Sequence, residues 1–111
     1  MTQQNLVCTA HELHEKRRSG ANFLLLDVRT PAELQTASLS DCMNIPLDKL
    51  QGRVDELEAW RDKEIVVMCH HGGRSAQAQG FLLRQGFSRV LNMTGGIDAY
   101  AVQVDPSVPR Y

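Results

Sequence analysis

The chain is short of several things that would commit it to a class. It has no charge imbalance: twelve Lys and Arg stand against thirteen Asp and Glu, a formal charge of −1 over 111 residues. Binding nucleic acid through its phosphates needs a surplus of positive charge, so nothing points to a nucleic-acid surface. It has no long apolar run and no charged stretch leading into one. Neither a signal peptide nor a transmembrane helix, and hence no membrane partner, is expected. Its three cysteines, Cys8, Cys42 and Cys69, are an odd number without metal-finger spacing. A reducing cytoplasm fits that usage best. His11 and His14 share a helical face, as metal ligands can, but no third ligand is near them in sequence. We therefore expect no metal and no cofactor. No repeat or low-complexity segment is visible. What is present is 42% hydrophobic residues, enough for one core, and a length that makes residues 1–111 one domain.

The stretch that organises the rest runs from Glu64 to Gly86. Ile65 to Met68 is an unbroken apolar run, too short for a helix and rich in β-branched residues, which predicts a buried strand. Ser75 to Gln85 suits a helix, and Gly86 a C-cap. Between them lie Cys69, His70, His71, Gly72, Gly73 and Arg74. A buried strand that empties into a Gly-rich loop and then a helix sets its last residue, Cys69, at the functional edge of an α/β sheet. A thiol is a strong nucleophile only as its thiolate. Three features favour that charge. The helix starting near Ser75 aims free N–H groups and its positive dipole end at the loop. Gly72 and Gly73 let successive N–H groups converge. Arg74 adds a permanent cation. The competing reading is a buried structural cysteine, which would need none of these neighbours.

The other segments supply a frame. Met1 to Asn5 is polar and expected to fray. Leu6 to Cys8 suits a short strand, and Thr9 caps a helix over 11–19. Lys16, Arg17 and Arg18 then sit where the dipole favours cations, a solvated helix end before a docking patch. Phe23 to Leu26 reads as a central strand ending in Asp27, Val28 and Arg29. Pro31 starts a short helix, and Arg29 is expected to pair with Glu33. Val54, Leu57 and Trp60 predict an amphipathic helix. Gly80, inside the helix after the loop, implies a packing reason. Val90 to Met93 makes a last strand. Thr94-Gly95-Gly96 makes a tight turn placed against the Cys69 loop, and a final helix follows over 97–104. The proline-stiffened tail, 105–111, should pack on the domain. Strands near 6–8, 23–27, 43–45, 65–69 and 89–93 alternate with helices, the pattern of an α/β fold.

Four residues separate Cys69 from Arg74. This segment resembles the active-site loop of the rhodanese-like sulfurtransferase family, in its small single-domain bacterial type. Cysteine-dependent phosphatases carry one residue more, and the shorter ring argues against phosphate. Leu25 to Glu33 resembles the family's first motif. Leu82 to Tyr100 resembles its closing motif, with Tyr100 where tryptophan is usual. Ala37 to Cys42 departs from the family: Ser38 stands for the common histidine, and Cys42 for a small residue that packs. The resemblance implies a three-layer α/β/α domain with a five-stranded, mainly parallel sheet.

It also implies a thiosulfate sulfurtransferase. Cys69 would carry sulfane sulfur as a persulfide from thiosulfate or a similar small donor to cyanide, a thiol acceptor or a sulfur-relay protein. His70, His71, Gly72, Gly73, Arg74 and Ser75 would form the anion-binding loop. Asp27, Arg29, Glu33, Gly95 and Gly96 would support it. A monomer is expected. The alternatives are a non-catalytic binding module, a dedicated relay partner and, less favoured, a phosphatase or arsenate reductase. His70 and His71 are expected to face outward, neither acting as a general base. Arg74 either binds donor oxygens, the preferred role, or braces the loop by bonding to an acid such as Asp27 or Glu33.

Overall fold

The computed structural model describes residues 6–111; the expected fraying of Met1 to Asn5 lies outside the described residues. Its axis is the strand β4 (Glu64–Met68), in which Ile65 to Met68 are wholly buried. Side chains alternate along a strand, so an unbroken apolar run needs cover on both faces. Ile65, Val67 and Cys69 enter one core cluster, and Val66 and Met68 the other. β2 (Phe23–Asp27) pairs with β4 on one side, with Asp27 opposite Met68. β5 (Arg89–Met93) pairs on the other side, with Asn92 opposite Val67. The two-residue strands β1 (Val7–Cys8) and β3 (Met43–Asn44) close the edges. The order is β1-β5-β4-β2-β3, and every pairing is parallel, where a mainly parallel sheet was expected.

Parallel strands need crossovers, and helices supply them on both faces. One face is covered by α1 (Ala10–Ser19) and α5 (Gly96–Gln103) through Leu13, Ile97, Tyr100 and Ala101. The other is covered by α3 (Leu47–Arg53) and α4 (Gly73–Arg84) through Leu50, Ala78 and Leu82. The short α2 (Pro31–Thr36) buries no residue. Among the described residues no helix is long and apolar enough to cross a membrane.

Local chemistry sets the ends. Thr9 and Thr30 each complete a capping box, with Glu12 and Glu33 three residues on. The segment expected as an amphipathic helix is a helix of the 3₁₀ type, Val54–Trp60. Its apolar residues recur every third position, which aligns them at three residues per turn but not at 3.6. Gly80 was expected to answer a packing need. A Cβ there would meet only the Arg84 guanidinium, at 3.3 Å, so no backbone or core atom requires glycine. In the departing segment, Ala37 and Leu39 are buried, while Cys42 is only half-buried. The tail packs as expected, with Val108 in the α1–α5 core.

Candidate active site

Parallel strands deliver their C-terminal ends to one edge, and the loop Cys69–Gly72 leaves β4 there. Its shape follows from where its carbonyls go. The N–H of Ile97 donates to the Cys69 carbonyl at 2.9 Å, and that of Asp98 to the His70 carbonyl at 3.2 Å. Both donors are first-turn groups of α5 that have no partner in their own helix. With these carbonyls held outward, the Gly72 N–H turns inward and donates to Cys69 Sγ at 3.0 Å. Glycine is required at two points, at Gly72 by the backbone conformation and at Gly96 by close approach as well. Gly72 sits at φ +116, and Gly96 at φ +61 with its α-carbon pressed on the loop. A Cβ on Gly96 would lie 2.3 Å from the His70 oxygen and 2.4 Å from that of Cys69. The Gly95-Gly96 turn thus lies against the Cys69 loop, as expected from the sequence.

Cys69 is only 1% exposed, as a structural cysteine would be. Its polar surroundings are not those of a structural cysteine. Burial pushes its pKa up, but the hydrogen bonds that the thiolate form takes from the Ser75 hydroxyl and from the N–H groups of Ser75, Gly72 and His71 outweigh that. The net effect holds the thiol below its ordinary value. The other two cysteines go the opposite way. Burial lifts Cys8 to about 11 and also raises Cys42.

Around the loop lies a charged network that differs from expectation. Arg29 does not pair with the Glu33 carboxylate. Its side chain and that of Asp27 are both fully buried, and Arg29 Nη2 donates to Asp27 Oδ2 at 2.7 Å, with Nε and its own N–H also on that carboxylate. The two residues close their own turn after β2, so only a 3.4 Å contact from Arg29 Nη1 to the Glu33 carbonyl remains. The Glu33 carboxylate instead takes both ends of the Arg74 fork, at 2.6 and 2.9 Å. That pair holds Glu33 well below and Arg74 well above their ordinary pKa values, chiefly through the shared hydrogen bonds. The fork preferred for donor oxygens is therefore occupied by the acid that was its second candidate partner. A cavity of about 310 Å³ opens beside Arg74, lined by Val28, Thr30, Pro46, Leu47 and Asp48.

The two histidines differ in exposure, although their rings lie 3.9 Å apart. His71 is exposed, as expected. His70 is not turned outward: its ring stacks on Tyr111 at 3.9 Å and 6°, and its buried Nε2 has no hydrogen-bond partner among the described residues. Among the described residues neither imidazole hydrogen-bonds to Cys69 Sγ, so no Cys–His pair forms.

Two contributors escape a reading of the sequence. Tyr111 donates to Glu33 Oε2 at 2.7 Å and accepts from Arg29 Nη1 at 2.9 Å. Nothing local in a proline-rich tail announces that. Asn92 accepts from the Ser75 hydroxyl at 2.5 Å and donates to the Gly72 carbonyl at 3.3 Å. Its signal is an amide inside the apolar run Val90-Leu91-Asn92-Met93, on the same strand face as Val90 and so toward α4.

Residues 9–103 match the family of the Rhodanese-like domain. A sulfurtransferase of Allochromatium vinosum is 36% identical over 92 residues, 83% of this chain and 84% of that protein. A chloroplastic Rhodanese-like/PpiC domain-containing protein of Arabidopsis thaliana is 39% identical over 105 residues; the match takes in 90% of this chain but only 35% of that protein. Among solved structures, a rhodanese-related protein of Thermoplasma volcanium superposes with a TM-score of 0.80 at 34% identity, covering 95% of this chain and 98% of that one. Loop, sheet order and relatives agree, and the chain belongs to the rhodanese-like domain family.

Proposed function

We propose that this chain is a thiosulfate sulfurtransferase that works through a persulfide on Cys69. The observation that carries the reading is the Gly72 N–H at 3.0 Å from Sγ, in a loop whose carbonyls are drawn away by α5. That arrangement stabilises a negative sulfur without a general base. Relatives named as sulfurtransferases support sulfur transfer in general.

In the first half-reaction the Cys69 thiolate attacks the outer sulfur of thiosulfate. A sulfur–sulfur bond forms at Sγ, the donor's sulfur–sulfur bond breaks, and sulfite leaves with the electron pair. The new outer sulfur carries the charge and takes up the inward N–H groups. In the second half-reaction a thiolate or cyanide attacks that outer sulfur, and Cys69 leaves again as thiolate. No proton is transferred in either step, so none of the described residues needs to act as a base on Sγ. His71, Gly73 and Ser75 complete the loop around the anion, while His70 under Tyr111 and Arg74 on Glu33 fix its flanks. Asp27, Arg29, Glu33, Gly95 and Gly96 hold it in shape.

A second reading has its own support. A Zea mays adenylyltransferase and sulfurtransferase is 35% identical over 108 residues, although this chain spans only 22% of it. On that reading the acceptor is a protein in a sulfur relay. Intact mass after incubation with thiosulfate tests the first step. A gain of one sulfur, roughly 32 Da, is expected, removed by cyanide and missing in Cys69→Ser. An unchanged mass with thiosulfate and other sulfane donors would defeat the catalytic assignment. A persulfide that resists cyanide and small thiols would favour the relay.

A further inference from the structure

The Ser75 hydroxyl has one proton and two acceptors within reach. It donates to Asn92 Oδ1 at 2.5 Å, while its oxygen lies 3.4 Å from Cys69 Sγ. A hydroxyl carries a single O–H donor, so it serves one of these at a time. The shorter contact gives the proton to Asn92. The Cys69 thiol can then donate toward the Ser75 oxygen, an arrangement that favours the protonated sulfur. When the sulfur ionises, its proton leaves to solvent, and Ser75 must rotate away from Asn92 to donate to the thiolate. The Asn92 oxygen thereby loses its donor.

We infer that Asn92 is a positioning residue that sets the thiol–thiolate balance of Cys69 by competing for the Ser75 proton. The inference rests on Cys69 being the reactive sulfur. Asn92 cannot simply turn over to escape the competition. Its amide nitrogen donates to the Gly72 carbonyl, and a flipped amide would put oxygen against oxygen. Its place is fixed by the sheet, with Val67 and Val7 as its neighbours in register.

The competition has a use in the catalytic cycle. Ser75 is wanted on Sγ while that sulfur is a thiolate. Once the outer sulfur is attached, Sγ is bonded on both sides and the charge has moved outward. Asn92 then takes the proton back, and Ser75 does not hold the inner sulfur as a leaving group before an acceptor arrives. The transfer bonds are those of the two half-reactions above, and the hydroxyl proton only changes partner.

A double-mutant cycle tests this. The pH dependence of Cys69 alkylation by iodoacetamide is followed by peptide mass in wild type, Asn92→Leu, Ser75→Ala and the double variant. Alkylation reads the thiolate and needs no sulfur donor, so the result stands apart from the sulfurtransferase reading. The titratable and charged groups around the loop are the Arg74–Glu33 and Asp27–Arg29 pairs, His70 and His71, and Asp98 with Arg110 at α5. All four proteins share them, so they cancel. Loss of the Gly72 tether is also common to both Asn92→Leu proteins. With Ser75 present, Asn92→Leu frees the hydroxyl for the thiolate. The midpoint should then shift lower than the same change shifts it in Ser75→Ala, by about half a unit, or threefold in thiolate at a given pH. If Asn92→Leu fails to fold, Asn92→Ala serves in the same cycle. Equal shifts in the two backgrounds, or a coupling of opposite sign, would overturn the inference and leave Asn92 as a brace for the loop.

Discussion

At the scale of single residues, Arg74 is where sequence and structure pull apart. From the sequence a guanidinium fork beside a nucleophilic sulfur reads as an oxyanion binder. The structure fills that fork with Glu33 on two hydrogen bonds, 2.6 and 2.9 Å long. A cation whose charge is already matched offers little to an arriving anion and much to the loop's shape. Arg74→Ala should therefore slow donor attack and acceptor attack alike, and lower stability by about 1 kcal/mol for a partly exposed pair. Rapid mixing of each half-reaction checks it. A defect confined to the donor step, at unchanged stability, would return Arg74 to direct oxyanion binding. Cys69 itself was legible because its neighbours are local: a strand end, two glycines and a helix start. The partners of Arg29 and Arg74 were not. Two acids, Asp27 and Glu33, can be shared between two arginines, Arg29 and Arg74, in more than one way, and only the turn after β2 decides between them.

At the scale of elements, the long strands and their helices could be read from apolar runs and caps, because burial on both faces leaves an unmistakable pattern. The helix type before β4 could not be read from a helical period alone, since apolar spacing of three serves two geometries. Glycine is the sharpest case. Gly80 and Gly96 were both expected to answer a close approach, and the structure places each in a helix. Space distinguishes them. Beyond Gly80 lies only a flexible arginine tip, so Gly80→Ala should stabilise α4 by up to about 1 kcal/mol. At Gly96 a Cβ would fall 2.3 Å from a carbonyl oxygen in a backbone held at φ +61. Gly96→Ala should cost about 3 kcal/mol, from strain and from undocking α5 from the loop carbonyls. It should also weaken persulfide formation, because freed carbonyls no longer keep the N–H groups inward. Thermal unfolding of the two variants side by side checks the pair of signs. A tolerated Gly96→Ala with normal sulfur loading would show that the dock is not needed.

At the scale of the whole molecule, the site is assembled from segments that no local reading connects. The sheet brings Cys69, Asp27 and Asn92 to one edge, and the order of strands in a parallel α/β fold makes that much foreseeable. The tail is different. It leaves α5, seats Val108 in the core and anchors Arg110 on Asp98. It then lays Tyr111 across the site, 78 residues from Glu33 and 82 from Arg29 in sequence. One hydroxyl thereby joins the buried Arg29 to the acid that holds Arg74, while the ring covers His70. Tyr111→Phe removes the two hydrogen bonds and keeps the stack, and should cost about 1 kcal/mol. Tyr111→Ala removes the stack as well, uncovers the His70 ring, and should cost about 1 kcal/mol more. Urea unfolding reads both: the midpoint should fall in that order with the slope unchanged, since the surface exposed on unfolding barely changes. A tail merely resting on the surface would leave both midpoints where they were. A fall for alanine but none for phenylalanine would assign the whole effect to the stack, and would cut Tyr111 out of the network that holds the loop.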